Sequence, residues 1–336
     1  MSLNWTGTQP FGLNELEEDA AIRYAPNARN SLLRTDTIRC CVRGCNQWLA
    51  KRKRGQDDPN IYCPVHGISV SKSPTYVYDD FRRNFIVNVT LLERAKQLKV
   101  ESWRLGNERS EDALSWNLFV SLSEFGELKS VFRLLTGLVV DAEPELYLWG
   151  VRITTGEPWL WDRLLAVRDK LERRPGIPTE PDIALRVPGV AVVLIEAKFG
   201  SPNSTLDGKK KRFGSVAEFL KRYPGSDGRP DPLNRIWIED QQPDAVYQQL
   251  VRNVVFAQWL AELREQPWVV NLVRDTEERE IEQRMASHLH AELPVQFRRC
   301  TWEAIAKLPV MDEERAVPLK NYLQNKTIGL KKAFSL

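Results

Sequence analysis

Several things are scarce in this chain. Its 336 residues include three histidines, three methionines and five cysteines, and Lys plus Arg outnumber Asp plus Glu by only 48 to 45. A net charge so close to neutral excludes capture of nucleic acid by the field of the whole molecule; any such contact has to come from local basic patches. Long apolar runs are missing too. The longest, "VAVVLIEA" and "VFRLLTGLVV", fall well short of the ~20 residues a membrane helix needs. The opening "MSLNWTGTQPFGLNELEEDA" lacks the basic-then-apolar layout of a signal peptide, so a cytoplasmic protein without membrane contact is expected. There is no internal repeat and no low-complexity tract. What remains, 42% hydrophobic and 28% charged, suits a globular protein that buries its own core.

The cysteines are unevenly placed. Cys40, Cys41, Cys45 and Cys63 cluster, and Cys300 stands apart. In a reducing compartment such clustering favours a metal over disulfides. "RCCVRGCNQWLAKRKRGQDDPNIYCPVHG" supplies Cys40 or Cys41 with Cys45 at close spacing, a long gap, and then Cys63 and His66 in C-P-x-H, which is close to structural zinc spacing. The preferred set for Zn²⁺ is Cys41, Cys45, Cys63 and His66, with Cys40 as the alternative to Cys41. Four protein ligands leave no open position, so such a site is structural. Between its halves lie Lys51, Arg52, Lys53 and Arg54, flanked by Trp48 and Tyr62. These are candidate phosphate contacts, the alternative being a solvated loop.

Along the chain, residues 1–38 read as an irregular leader with a short helix near 13–22, 39–80 as the zinc-binding module and 81–104 as a connecting helix. Residues 105–336 read as one α/β (α+β) domain. Its first helix, in "SEDALSWNLFVSLSEF", has Ser110 as a natural N-cap. "ELYLWGVRI" reads as a strand, followed by a helix near 160–173. "DIALRV" and "VAVVLIEAKF" read as two strands of a hairpin around Pro188 and Gly189. Residues 200–240 form an insertion carrying Lys209, Lys210, Lys211 and Arg212, a basic flap or a plain flexible insert. A helix follows in "QPDAVYQQLVRNVVFAQWLAEL" with Pro243 in its first turn, then the strand "PWVVNLVR", an acidic helix and the strand "VQFRRCTW". His288 and His290, on the acidic helix, and Cys300 complete no site.

The chemistry sits at the ends of the hairpin strands. Alternation places Glu196 and Lys198 on one face, with Val192 and Leu194 behind them and Ala197 opposite. An even-numbered turn sets Asp182 opposite Ile195 and away from Glu196; an odd turn or a bulge sets Asp182 opposite Glu196. Two carboxylates and an ammonium make poor core, since each would cost several kcal/mol to bury unpaired. As hard oxygen donors for Mg²⁺ or Mn²⁺ they make good sense, with the lysine positioning a water or stabilising the attacked phosphate. The alternative is a surface salt-bridge cluster.

With Pro181, Asp182, Glu196 and Lys198, and Ala197 at the variable position, residues 105–310 resemble the PD-(D/E)xK nuclease superfamily. The resemblance implies a restriction endonuclease-like mixed sheet flanked by helices, with Mg²⁺ or Mn²⁺ held by Asp182, Glu196 and the Ala197 backbone. It also implies a catalytic glutamate on the first helix as a further ligand of that ion, Glu111 before Glu108, and an amide on the helix after the hairpin. Gln249 is the better candidate for that amide, Gln248 the reserve, and Asn253 lies one turn on. The implied activity is metal-dependent hydrolysis of phosphodiester bonds in DNA, endonucleolytic and in prokaryotic restriction or defence against foreign DNA, with a homodimer where both strands are cut. The competing expectation is a catalytically silent protein on a nuclease-like fold that binds nucleic acid or a partner through its zinc module.

Overall fold

A computed structural model describes residues 37–50, 61–70, 75–98, 105–153, 158–171, 180–207, 245–262, 264–286, 289, 294–329 and 331–336. The expected helix at 13–22, the Lys51 to Arg54 run, the Lys209 to Arg212 run, His288 and His290 lie outside them. The chain divides into two compact units: one of Met1–Thr90, Ser102–Ser121 and Ala306–Leu336, the other of Leu91–Glu101 and Leu122–Ile305. The stretch expected as a single domain, 105–336, is thus shared between them. No described helix is long and apolar enough to cross a membrane.

The second unit is built on a mixed sheet of seven strands: Glu145–Leu148 (β1), Val151–Arg152 (β2), Trp159–Leu160 (β3), Ile183–Val187 (β4), Ala191–Ala197 (β5), Gln266–Val273 (β6) and Gln296–Thr301 (β7). Their spatial order is β7-β6-β5-β4-β1-β2-β3. The pairs β5 with β6 and β6 with β7 are parallel, and the others antiparallel. β5 is buried along its whole length, which explains its unbroken apolar run: a strand inside a sheet covered on both faces has no polar side to show.

The helices that matter here are Glu111–Glu124 (α1), Leu128–Thr136 (α2), Asp162–Leu171 (α3), Gln248–Leu260 (α4) and Ile281–Ala286 (α5). Ser110 caps α1 as expected, its hydroxyl accepting from the Ala113 amide at 3.1 Å. Val192, Leu194, Ala184 and Val269 form one core with Leu164 and Val167 of α3 and with Leu250, Val254 and Val255 of α4. Burying each such side chain contributes ~1.5–3 kcal/mol. Packing therefore holds α4, whose β-branched residues are indifferent helix formers. On the other face Arg298 donates to the Leu135 carbonyl at the end of α2.

Three elements differ from expectation. "ELYLWGVRI" is a tight hairpin, not one strand: Leu148 pairs with Val151 across Trp149 and Gly150, both at positive φ (52° and 76°), the conformation a two-residue turn demands. α4 starts at Gln248, not near Pro243, because Ala245–Tyr247 pairs as a strand with Thr205–Asp207 and sequesters the expected first turn. The acidic helix begins only at Ile281, and its described part is Ile281–Ala286, where Ile281 and Met285 are the buried anchors.

Among the described residues, the first unit is built mainly from short elements. Two short hairpins, Thr37–Arg39 with Trp48–Ala50 and Ile68–Val70 with Tyr76–Tyr78, enclose a core of Cys40, Cys41, Cys45, Cys63, Leu49, Ile68, Tyr76 and Tyr78. Helix Val317–Asn325 and a final hairpin complete it.

Candidate active site and metal centre

The turn between β4 and β5 decides the site. Val187 pairs with Ala191 and Ile183 with Ile195, so Pro188, Gly189 and Val190 form an odd-numbered connection. Continued one step outward, that register sets Asp182 opposite Glu196. Asp182 continues the ladder: its carbonyl accepts from the Trp149 amide at 3.1 Å, and its Oδ2 accepts from the Ala197 amide at 2.8 Å. The turn is pinned from outside. Gly189 takes φ 73°, and its amide donates to Glu265 Oε1 at 3.2 Å. Arg186 grips the same oxygen at 2.7 Å through Nη2 and 3.0 Å through Nε. Burial opposes ionisation of Glu265, but the bonds from Arg186, Glu262 and Gly189 outweigh it and hold its carboxyl below the ordinary range.

Glu196 is fully buried, yet both its oxygens are satisfied. Lys198 Nζ donates to Oε1 at 2.6 Å and Asn253 Nδ2 to Oε2 at 3.0 Å, and Arg252 Nη2 stands 3.5 Å from Oε2. Glu196 and Lys198 share the α4 face with Val192 and Leu194, as strand alternation requires. The Lys198 backbone is fixed on both sides: its amide donates to the Leu272 carbonyl at 2.8 Å, and its carbonyl accepts from the Trp302 indole at 3.0 Å. The ammonium is therefore aimed by the strand.

In an extended strand the N–H and C=O of one residue point to the same side. The Ala197 amide is directed at Asp182, so its carbonyl points that way too. Asp182, Glu196 and the Ala197 carbonyl thus lie at the same end of β4 and β5 and together offer an all-oxygen donor set of the kind that hard ions such as Mg²⁺ or Mn²⁺ take.

No family model, curated protein or solved structure matches this chain. The remaining expected residues are therefore placed by their own contacts. Asn253, one turn beyond Gln249, is the helix amide that reaches Glu196; Gln248 and Gln249 are half-buried on the first turn of α4. Arg252 is a site residue that reading the sequence missed. The signal was there, in a cation and an amide side by side in the otherwise apolar "LVRNVVFA". Glu111 opens α1 in the first unit, half-buried. Glu108 is fully buried in that unit as a structural ion pair: Lys326 Nζ lies 3.4 Å from its Oε2, and Tyr78 donates to the same oxygen at 3.4 Å. Lys326 also donates to Asn84 Oδ1 at 2.8 Å. Burial pushes the Glu108 carboxyl up, against the pull of Lys326.

In the first unit Cys40, Cys45, Cys63 and His66 form a cluster that could hold a metal ion, their ligand atoms all lying within 4.8 Å of one another. His66 Nδ1 is 3.4 Å from Cys63 Sγ and 3.6 Å from Cys40 Sγ, and Cys45 Sγ is 3.8 Å from Cys63 Sγ. Ligands at ~2.0–2.3 Å from a tetrahedral Zn²⁺ lie roughly 3.4–3.8 Å apart, so the cluster fits zinc. It corrects the expected ligand set: Cys40, not Cys41, takes the first position. The Cys40 amide donates to the Gln47 carbonyl at 2.9 Å and extends the hairpin to the base of the loop, from which the chain turns through Gly44 (φ 75°) to Cys45. Cys41, fully buried, lies outside the set. Hydrogen bonding to Cys41, then burial, pushes the Cys40 thiol well above its ordinary range, and burial pushes Cys63 up to about 11. A cation entering this cluster must displace those protons.

Proposed function

We propose that this chain is a metal-dependent nuclease of the PD-(D/E)xK type, on a restriction endonuclease-like fold, hydrolysing phosphodiester bonds within DNA. One observation carries the reading: the odd turn at 188–190 sets Asp182 opposite Glu196, with Lys198 bonded to Glu196 at 2.6 Å. Asp182, Glu196 and the Ala197 carbonyl are the residues that would hold Mg²⁺ or Mn²⁺. When bound, the ion lowers the pKa of a water and offsets the charge of the attacked phosphate. Lys198, fixed through its backbone, orients the nucleophilic water or donates to a phosphate oxygen. Asn253 holds the Glu196 carboxylate in position without adding charge. The Cys40, Cys45, Cys63 and His66 centre with Zn²⁺ keeps the small unit folded, and that unit carries the Lys51 to Arg54 run in its sequence. Cutting both strands calls for two such sites, so a homodimer belongs to the same proposal. A role in restriction or defence rests on the resemblance alone.

A second reading draws support from the saturation of Glu196 by Lys198, Asn253 and Arg252: the cluster is self-sufficient as a structural cross-link, and the protein binds nucleic acid or a partner without cutting it. Incubating plasmid and single-stranded DNA with the zinc-loaded protein and Mg²⁺ or Mn²⁺ separates the two. The nuclease reading expects cleavage that Asp182→Ala and Lys198→Ala each abolish while DNA binding persists. No cleavage by the unsubstituted protein with any divalent ion would leave the binding reading standing.

A further inference from the structure

We propose that Arg252 competes with the divalent ion for Glu196 and, once displaced, turns to a phosphate of the substrate, so that metal and phosphodiester bind as a pair. This rests on the nuclease reading above and adds to it a residue and the substrate group that residue recognises.

Arg252 is buried at 7% exposure on α4 but held only loosely. Nη2 lies 3.5 Å from Glu196 Oε2 and 3.5 Å from the Glu180 carbonyl, and Nε and Nη2 lie 3.4 and 3.3 Å from Asn253 Oδ1. Charge-assisted bonds normally measure ~2.7–2.9 Å. Arg186, which serves structure, meets Glu265 at 2.7 and 3.0 Å, and Lys198 meets Glu196 at 2.6 Å. Among the described residues, Arg252 Nη1 meets no acceptor at all. A nearly buried guanidinium with long contacts and one nitrogen that meets no acceptor among the described residues is poised to change partner, and its donor fork matches two phosphate oxygens.

The charge balance supplies the drive. The charges of these four groups, Asp182 and Glu196 against Lys198 and Arg252, sum to zero. A divalent ion alone adds two positive charges beside a buried carboxylate, which is costly. A phosphodiester anion removes one of them, and the dianionic transition state removes both. A bound ion would compete for the Glu196 carboxylate that Arg252 now faces, which would free the guanidinium. Each ligand thereby favours the other, by the same factor in both directions.

The test is a Mn²⁺ titration of the zinc-loaded full chain by calorimetry, with and without a phosphorothioate duplex that resists cleavage. It compares the unsubstituted protein with Arg252→Met and Arg252→Lys. Without DNA, Arg252→Met is expected to bind Mn²⁺ roughly tenfold tighter, because a competing cation is gone. The gain in DNA affinity on adding Mn²⁺ is expected to fall by about tenfold. Arg252→Lys, which keeps the charge but not the fork, is expected to leave Mn²⁺ affinity near the unsubstituted value and still lose most of the gain in DNA affinity. Unchanged or weaker Mn²⁺ binding by Arg252→Met, or an unaltered gain in DNA affinity in both variants, overturns the proposal while leaving the metal site intact. Mn²⁺ binding that survives Asp182→Ala overturns the metal site and the proposal together.

Discussion

Asp182 stands opposite Glu196 because three residues, and not two or four, join β4 to β5, and its carboxylate takes the Ala197 amide at 2.8 Å. A one-residue slip of either strand would exchange its two buried faces. Gly189 carries the strain of this arrangement at φ 73°, with nothing within 4 Å of where a Cβ would sit. Gly189→Ala is therefore a purely backbone perturbation. It is expected to cost roughly 1 kcal/mol and lower Tm by about 2–4 °C in a thermal melt.

Lys198 and Glu196 form a pair in which the carboxylate is fully buried. Lys198→Met strands that carboxylate, leaving Asn253 and the loose Arg252 as its partners. The expected loss is about 1–3 kcal/mol in urea denaturation, below the usual penalty for orphaning a buried charge because those partners remain. The double substitution Glu196→Gln with Lys198→Met is expected to recover part of it. If the double variant is less stable than Lys198→Met alone, the burial argument is wrong.

For the metal centre, Cys40 and Cys41 are separable by composition alone. Zinc quantitation on purified protein is expected to find about one ion per chain in the unsubstituted protein and in Cys41→Ser, and clearly less in Cys40→Ser. Equal loss in both serine variants would restore Cys41 to the ligand set.

The Glu265 carboxyl is held below its ordinary range, so its contribution has a definite sign with pH. The folded state prefers the ionised form. That stability is fully present above the unfolded value of about 4.3 and is lost as pH falls through the lower folded value. In acid titrations of stability, Glu265→Gln is expected to flatten the curve below about pH 4.5 and to be less stable than the unsubstituted protein at pH 7. A curve of unaltered slope would mean that the Arg186 clamp does not hold the turn.

Lys326 and Glu108 form a fully buried pair from positions 218 residues apart. Lys326→Met is expected to cost about 3–5 kcal/mol. Glu108→Gln is expected to leave the cleavage rate per folded molecule unchanged, because Glu108 serves the first unit's core. A specific loss of rate with normal stability would return Glu108 to the catalytic candidates.

Reading along the sequence captured what has short range. The period of two that puts Glu196 and Lys198 on one face, the serine cap of α1 and the grouping of thiols with His66 all involve residues close in the chain, where backbone geometry alone links position to direction. Only the tertiary structure could decide the rest. The parity of the turn was an open alternative until the pairing of Ile183 with Ile195 closed it. Asn253 and Arg252, rather than Gln249, reach Glu196 because the packing of Leu250, Val254 and Val255 into the core with Val192 and Leu194 fixes where α4 lies along β5. Cys40 displaces Cys41 through the course of one loop, and Glu108 is claimed by a lysine from the far end of the chain. By itself the sequence determined which chemical groups were present and which neighbours shared a face. Which distant groups met was decided by packing, because burial energy depends on the whole core while alternation depends only on the adjacent bond.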